Sequence, residues 1–244
     1  MHILNLAHRG ASGEYPENTM LAFEKAIEQG ADGFETDVHL SADGELVVIH
    51  DDTLDRTTNG TGNVYSYSFS ELRRLSAGKS NGINGLKMPH LREVLELVRD
   101  KGMVLNIEIK NNTTFYPNIE EKVINLIYEY KLLNSVLLSS FNHQSMALCK
   151  KIAPRIKTGL LYSQPLYRTV DYAKMCGADA LHPHYLLAIH DKALREDCNK
   201  ESLGLNVWTV NETEDMLTMI NMGVNSIITN FPGKLSKILN RKKV

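Results

Sequence analysis

Short apolar runs alternate with stretches of helical periodicity along almost the whole chain, and this alternation leaves few architectures open. Ile3 to Ala7, Gly33 to Leu40, Val104 to Ile109, Val136 to Ser140, Thr158 to Tyr162, Ala180 to His182, Leu205 to Val210 and Ser226 to Thr229 read as eight major strands. Leu46 to Ile49 reads as an extra hairpin arm. Phe23, Ala26, Ile27 and Gly30 recur at helical spacing behind Asn18 or Thr19 as a cap, and Leu91, Val94, Leu95 and Val98 repeat the stripe. Three helices end in Gly30-Ala31-Asp32, Gly177-Ala178-Asp179 and Gly223-Val224-Asn225, each followed by a strand. Glycine closes a helix in the left-handed conformation, and the next residues turn into the strand. Asn211 with Glu214 reads as a capping box at the last well-marked helix start.

Helices between successive strands cover both faces of a parallel sheet, and eight such units close into a (β/α)₈ TIM barrel. An open doubly wound sheet has the same local pattern. Its dinucleotide-binding version wants G-x-G-x-x-G after the first strand, where this chain has His8-Arg9-Gly10-Ala11-Ser12-Gly13 with the wrong glycine spacing. Residues 51–88 are too long for a simple βα connection and carry Thr57-Thr58-Asn59-Gly60-Thr61-Gly62 with little periodicity. They read as a loop-rich insertion after the second barrel strand, inside a single catalytic domain spanning residues 1–244.

Composition narrows the function classes. Lys plus Arg is 27 and Asp plus Glu is 29, so the chain lacks the positive excess expected of a nucleic-acid partner. The basic run Arg241-Lys242-Lys243 reads as a solvated tail. Cys149, Cys176 and Cys198 are odd in number and widely spaced, which argues against a disulfide scaffold or a zinc ribbon. The N-terminus has no basic region followed by a long apolar stretch, and no segment reaches the roughly 18 apolar residues of a membrane span. The expectation is a soluble cytoplasmic protein with no integral membrane segment.

In such a barrel the active site lies where the strands end at their C-termini. That rim carries His8-Arg9, Glu35-Thr36-Asp37, His50-Asp51-Asp52, Glu108-Ile109-Lys110 and Trp208, the last placed within the seventh major strand. Side chains two apart on a strand share a face, so Glu35 and Asp37 converge, as do Glu108 and Lys110. Charges inside a covered strand are costly unless they bind something. Three carboxylates from neighbouring strands are hard oxygen ligands for one divalent cation, Mg²⁺ or Ca²⁺. Such an ion beside a phosphodiester acts as a Lewis acid, and Arg9 and Lys110 add positive charge for phosphate oxygens.

Cleaving the ester moves one proton off the attacking oxygen and another onto the departing alkoxide, and imidazole near neutrality does either task. His8 and His50, at strand ends beside carboxylates, are the catalytic candidates. His182-Pro183 at the end of the sixth strand is a further candidate for lining the pocket, while His39, His90, His143, His184 and His190 have no comparable claim. Trp208 is a core side chain or an apolar wall for a ligand's carbon skeleton. Glu17 is placed to orient Arg9 or a histidine, and Asn18 to cap a helix or support the site.

Taken in order, these pieces resemble the glycerophosphodiester phosphodiesterase family. They are His8-Arg9-Gly10, Glu17-Asn18-Thr19, Glu35-Thr36-Asp37-Val38, His50-Asp51, Arg56 through Gly62, Glu108-Ile109-Lys110, Ser139-Ser140-Phe141, Trp208-Thr209 and Thr229-Asn230-Phe231-Pro232. The resemblance spans nearly the whole chain. It implies a (β/α)₈ barrel with a small insertion after the second strand, and a metal held by Glu35, Asp37 and Glu108. It also implies an acid/base pair of His8 and His50, with Arg9 and Lys110 on phosphate. The implied reaction converts a small glycerophosphodiester into glycerol 3-phosphate and an alcohol, by attack of a neighbouring hydroxyl through a cyclic phosphate or by direct attack of water. One departure is Asn230, where the family commonly has Asp; the expected effect is a changed local hydrogen bond near the last strand.

Two rival readings keep the same fold. An enzyme of lysophospholipase D type, acting on lysophospholipids, would share the metal site and need a long apolar groove beyond it. A non-catalytic phosphate- or sugar-binding barrel should have lost a metal carboxylate or a histidine, whereas this chain retains the set.

Overall fold

All eight residues of Gly33–Leu40 are buried, as a strand covered on both faces requires. The computed structural model describes residues 2–241, so Lys242 and Lys243 of the basic C-terminal run lie outside the described residues. The elements, in order, are β1 (Leu4–His8), α1 (Met20–Glu28), β2 (Gly33–Leu40), β3 (Leu46–Val48), α2 (Phe69–Leu72), α3 (Leu91–Lys101), β4 (Val104–Ile109), α4 (Ile119–Glu129), β5 (Val136–Ser140) and α5 (His143–Ile152). They continue as β6 (Lys157–Tyr162), α6 (Thr169–Met175), β7 (Ala180–Pro183), α7 (Tyr185–His190), α8 (Leu194–Lys200), β8 (Gly204–Val207), α9 (Thr213–Met222), β9 (Ser226–Thr229) and α10 (Pro232–Arg241).

The strand order β1-β9-β8-β7-β6-β5-β4-β2 closes through pairing of β1 with β2, giving a (β/α)₈ barrel of eight parallel strands. The hairpin arm β3 pairs antiparallel to β2. Helix ends set the pace of the alternation: Gly30, Gly177 and Gly223 have φ of +80°, +67° and +75°, the left-handed turn that hands the chain to the next strand.

Period two divides each strand between two environments. Phe34, Val38, Leu105, Ile107, Leu138, Leu181, Leu205 and Ile227 pack outward in the main apolar core with the helices. The inward set is more polar, and His182 shows how it is accommodated. Its Nε2 lies 2.8 Å from Asn206 Nδ2, and a Cβ at Gly159 would fall 2.3 Å from that ring nitrogen. Residues between β3 and α3 build a second small core from Ile49, Leu54, Val64, Leu72, Ala77 and Met88 packed on Val47 of β3. Among the described residues no helix is long and apolar enough to cross a membrane.

Two local expectations are corrected. The seventh barrel strand stops at Val207, so Trp208 lies just past it, joined to His184 by an isolated bridge. Its neighbour β7 ends in Pro183, which has no N–H to continue the ladder. The capping box at α9 is absent: Glu212 occupies the cap without a side-chain bond. Asn211 Oδ1 is instead used by the Asn230 N–H and the Thr229 hydroxyl.

Burial pushes the His182 imidazole down to about 3 from 6.5. Between those values the unfolded chain binds a proton that the folded chain does not, so this residue's share of stability falls as pH drops from about 6.5 toward about 3. Thermal melts across that range should show a shallower acid decline in His182→Gln than in the wild type; identical slopes would clear His182 as a cause.

Candidate active site

Register brings the acids together. Asp37 on β2 is paired with Glu108 on β4, and Glu35 lies two residues before Asp37, so all three face inward on one patch. One carboxylate oxygen from each lies within 4.8 Å of the others. Arg9 Nε approaches Asp37 Oδ2 at 3.3 Å, and Lys110 Nζ sits 2.8 Å from Glu108 Oε1 and 3.7 Å from Asp37 Oδ1. Burial raises the Glu35 carboxyl well above the usual carboxylate range, and the charges of Asp37 and Glu108 add to the rise. Burial also raises Glu108, partly offset by Lys110. At Asp37 burial acts the same way, but Arg9 and Lys110 outweigh it and hold the carboxyl below its ordinary range.

The loop after β1 holds this cluster by its backbone. Arg9 adopts φ +55°, a left-handed conformation uncommon for a large side chain. Its N–H is engaged by the Glu35 carbonyl at 3.0 Å and by Glu35 Oε2 at 3.1 Å, while its carbonyl accepts the Asn18 N–H at 3.0 Å. Asn18, also left-handed, donates Nδ2 to Asp37 Oδ2 at 2.8 Å and accepts the Thr36 hydroxyl on Oδ1. The helix cap is Thr19, which accepts from the Ala22 N–H.

From Arg9 a chain of ion pairs crosses to the second histidine. Arg9 donates to Glu17 Oε1 at 2.9 Å, and Arg56 spans Glu17 and Asp51 through four bonds of 2.7–2.9 Å. Asp51 Oδ1 then lies 2.6 Å from His50 Nδ1. Hydrogen bonds from Arg56 hold the Asp51 carboxyl well below its usual range. Thus Glu17 braces Arg9 directly and reaches His50 through Arg56, a residue of the 51–88 segment.

His8 has a different support. Its Nδ1 lies 2.7 Å from Asn230 Oδ1 across the β1–β9 seam, and its Nε2 is 3.9 Å from Glu35 Oε2. An amide oxygen only accepts, so Nδ1 donates and Nε2 keeps its lone pair. Burial and then Arg9 push the His8 imidazole down to about 4, the neutral form at neutral pH.

His8, Arg9, Glu35, His50, Glu108 and Trp208 line one cavity of about 50 Å³ at the barrel mouth. Trp208 donates its indole N–H to the His182 carbonyl at 2.7 Å and meets Phe141 edge-on, so it is a fixed wall. Asp37, buried, and Lys110, partly buried, lie against the same acids without being among the lining residues, and His182 is packed below in the barrel interior. A larger open hollow of about 360 Å³ between α6 and α8 is lined by Arg168, Asp171 and Lys200, whose charges are already paired with one another or with neighbours on their own helices.

Sequence reasoning gave no role to Asp51, Arg56 or Asn106, and at Asn230 it expected only a changed local hydrogen bond near the last strand, where the structure has a bond to His8. Adjacency to His50 could have flagged Asp51, and the period-two rule puts Asn106 on the face of Glu108. Nothing local marks Arg56 or Asn230 as partners of Glu17 and His8.

Residues 8–234 match the glycerophosphoryl diester phosphodiesterase family. The chain is 46% identical over 243 residues to a glycerophosphodiester phosphodiesterase of Caldanaerobacter subterraneus, covering 99% of each sequence. Among solved structures it resembles an Oleispira antarctica phosphodiesterase in complex with the product sn-glycerol-3-phosphate, at TM-score 0.84 and 30% identity over 97% of each chain. It also resembles a glycerophosphodiester phosphodiesterase from Agrobacterium tumefaciens, at TM-score 0.83 and 29% identity over 97% of this chain and 100% of that one. Length-wide sequence identity, the shared barrel and the acidic cluster at its mouth lead to one conclusion: the chain belongs to the glycerophosphoryl diester phosphodiesterase family.

Proposed function

We propose that this protein hydrolyses small glycerophosphodiesters to glycerol 3-phosphate and an alcohol, with one divalent cation, Mg²⁺ or Ca²⁺, held by Glu35, Asp37 and Glu108. The observation carrying this reading is the cluster of three buried carboxylate oxygens within 4.8 Å of one another, beside two imidazoles in one cavity. The donor set fits such an ion: all the oxygens are hard, and Asp37 Oδ1 is buried with no hydrogen-bond partner. When bound, the cation supplies Lewis acidity to the phosphate oxygens. The whole chain serves as one catalytic unit, and the 51–88 insertion contributes Arg56 to it.

The remaining chemistry belongs to the side chains. Arg9, braced by Glu17, and Lys110 offset charge on the phosphate and orient it. His8 keeps an unprotonated Nε2 toward the cavity, because Asn230 takes its Nδ1–H, and it accepts the proton of the attacking hydroxyl. His50 gives Nδ1–H to the Asp51 carboxylate, which orients the ring, and its other nitrogen delivers a proton to the departing alkoxide. Both histidines serve equally well whether a glycerol hydroxyl or water attacks. The enclosed space suits a small polar ester, and deacylated phospholipids have that character.

Three outcomes are expected. Glu35→Gln, Asp37→Asn and Glu108→Gln should each weaken Mg²⁺ or Ca²⁺ binding in calorimetric titration and reduce the rise in melting temperature that the ion produces. Unchanged ion affinity in all three would remove the metal assignment. His8→Ala and His50→Ala should retain ion binding while turnover falls by about 10²–10⁴-fold; full activity in either would strip that residue of its role. With glycerophosphocholine and lysophosphatidylcholine compared under Mg²⁺ and Ca²⁺, product analysis should show glycerol 3-phosphate and preference for the former. A clear preference for the lysolipid would favour lysophospholipase D chemistry, and no cleavage across a panel of glycerophosphodiesters would favour a binding barrel.

A further inference from the structure

His39 is a buried side chain that the chemistry above leaves unused. It lies on β2 two residues past Asp37, on the same face by period two, and is 1% exposed. It does not line the catalytic cavity, so it acts on a reaction there only through its neighbours. Both ring nitrogens are engaged. Nε2 lies 3.0 Å from the His50 carbonyl oxygen, and Nδ1 lies 2.9 Å from the Tyr116 hydroxyl. A carbonyl only accepts, so Nε2 carries the N–H, and the Tyr116 hydroxyl donates to Nδ1 of the neutral ring. An apolar side chain could fill the same space. The imidazole adds a donor at one edge and an acceptor at the other.

The residue at the end of this relay needs holding. β3 stops at Val48, and Ile49 still reaches β2 by giving its N–H to the Asp37 carbonyl. His50 follows beyond that ladder, yet it is the residue of this arm whose side chain lines the cavity. Asp51 acts on the His50 ring, whereas His39 acts on the main chain that carries it. The other end of the relay is anchored as well. Tyr116 belongs to the segment between β4 and α4, and Thr114 of that segment donates to Asp52 Oδ1 at 2.9 Å. The segment thus grips residues 50–52 twice, once directly and once through His39. Its base is tied by Asn111, whose Nδ2 lies 2.7 Å from the buried Glu120 Oε1 and 3.0 Å from Ser145 Oγ.

We propose that His39, held by Tyr116, is a positioning residue that fixes His50 through its carbonyl and so keeps that imidazole aligned with the departing oxygen. This rests on the reading of His50 as the proton donor to the alkoxide, and it extends the catalytic support to the segment between β4 and α4. A displaced donor transfers its proton poorly even when its own chemistry is intact.

The test uses two esters that differ in their need for that proton. Glycerophosphocholine releases an alkoxide, which must be protonated, whereas the p-nitrophenyl ester of glycerol 3-phosphate releases a nitrophenolate that leaves without one. His50→Ala should lose far more turnover on the choline ester than on the nitrophenyl ester. His39→Leu should reproduce that contrast, with kcat lower by about 10- to 100-fold on the first, within about threefold on the second, and KM and Mg²⁺ affinity held. His39→Gln, whose amide can donate to the His50 carbonyl and accept from Tyr116, should recover most of the lost turnover. Tyr116→Phe should show the same contrast at smaller size, and it decides the matter if His39→Leu lacks a cooperative melt. Equal losses on the two esters in His39→Leu and Tyr116→Phe would reduce His39 to packing and overturn the proposal, as would full activity in both. The contrast in His50→Ala without it in His39→Leu overturns this inference alone. A His50→Ala enzyme that loses both esters alike would strike the acid role of His50 itself, and this inference with it.

Discussion

Three carboxylates gathered inside a barrel mouth repel one another, and the surrounding structure is arranged to contain that repulsion. At separations within 4.8 Å and an effective dielectric of about 20, each charged pair costs roughly 3–4 kcal/mol. The chain answers with Arg9 against Asp37 and Lys110 against Glu108, but Arg9 is shared with Glu17, and Glu35 receives only a backbone N–H. The imbalance shows at Glu35, whose carboxyl is pushed well above the usual carboxylate range by burial and the neighbouring acids. A bound cation would relieve that imbalance, and by linkage it would stabilise the fold that gathers the acids.

Holding acids together also requires a rigid frame, and the frame is built largely from main chain. Arg9 and Asn18 both take left-handed conformations, and their mutual hydrogen bond closes the loop after β1 against Glu35 and Asp37. Asn18 reads both faces of β2 at once, taking the Thr36 hydroxyl with its carbonyl and giving its amide to Asp37. Strain at that turn is sustained because each strained residue is fixed by bonds to the strand it serves.

The two imidazoles are supported by unlike partners. His8 leans on a neutral amide, whereas His50 leans on a carboxylate that Arg56 holds charged. Each support takes the Nδ1 proton and leaves the other ring nitrogen free, a neutral amide at His8 and an anion at His50. The division of acid and base work proposed for the two rings rests on this difference between their neighbours.

Much of this was written in local sequence. The bounds of Gly33–Leu40, Val104–Ile109, Val136–Ser140 and Ser226–Thr229 coincide with the strands observed, because apolar runs and glycine turns act over a few residues. Convergence of Glu35 with Asp37 was equally legible, since period two is a property of any strand. Other features were not. The end of β8 depends on Pro183 in the strand beside it, and Asn211 abandons its helix to hold Asn230. Asn230 meets His8 from 222 positions away, and Arg56 reaches Glu17 across 39. By itself, then, the chain determined its strands, its turns and which side chains face inward, all set by short-range sterics and periodicity. Which partner each of those side chains meets was decided by closure of the barrel, which lays β9 beside β1 and folds the insertion back over the rim.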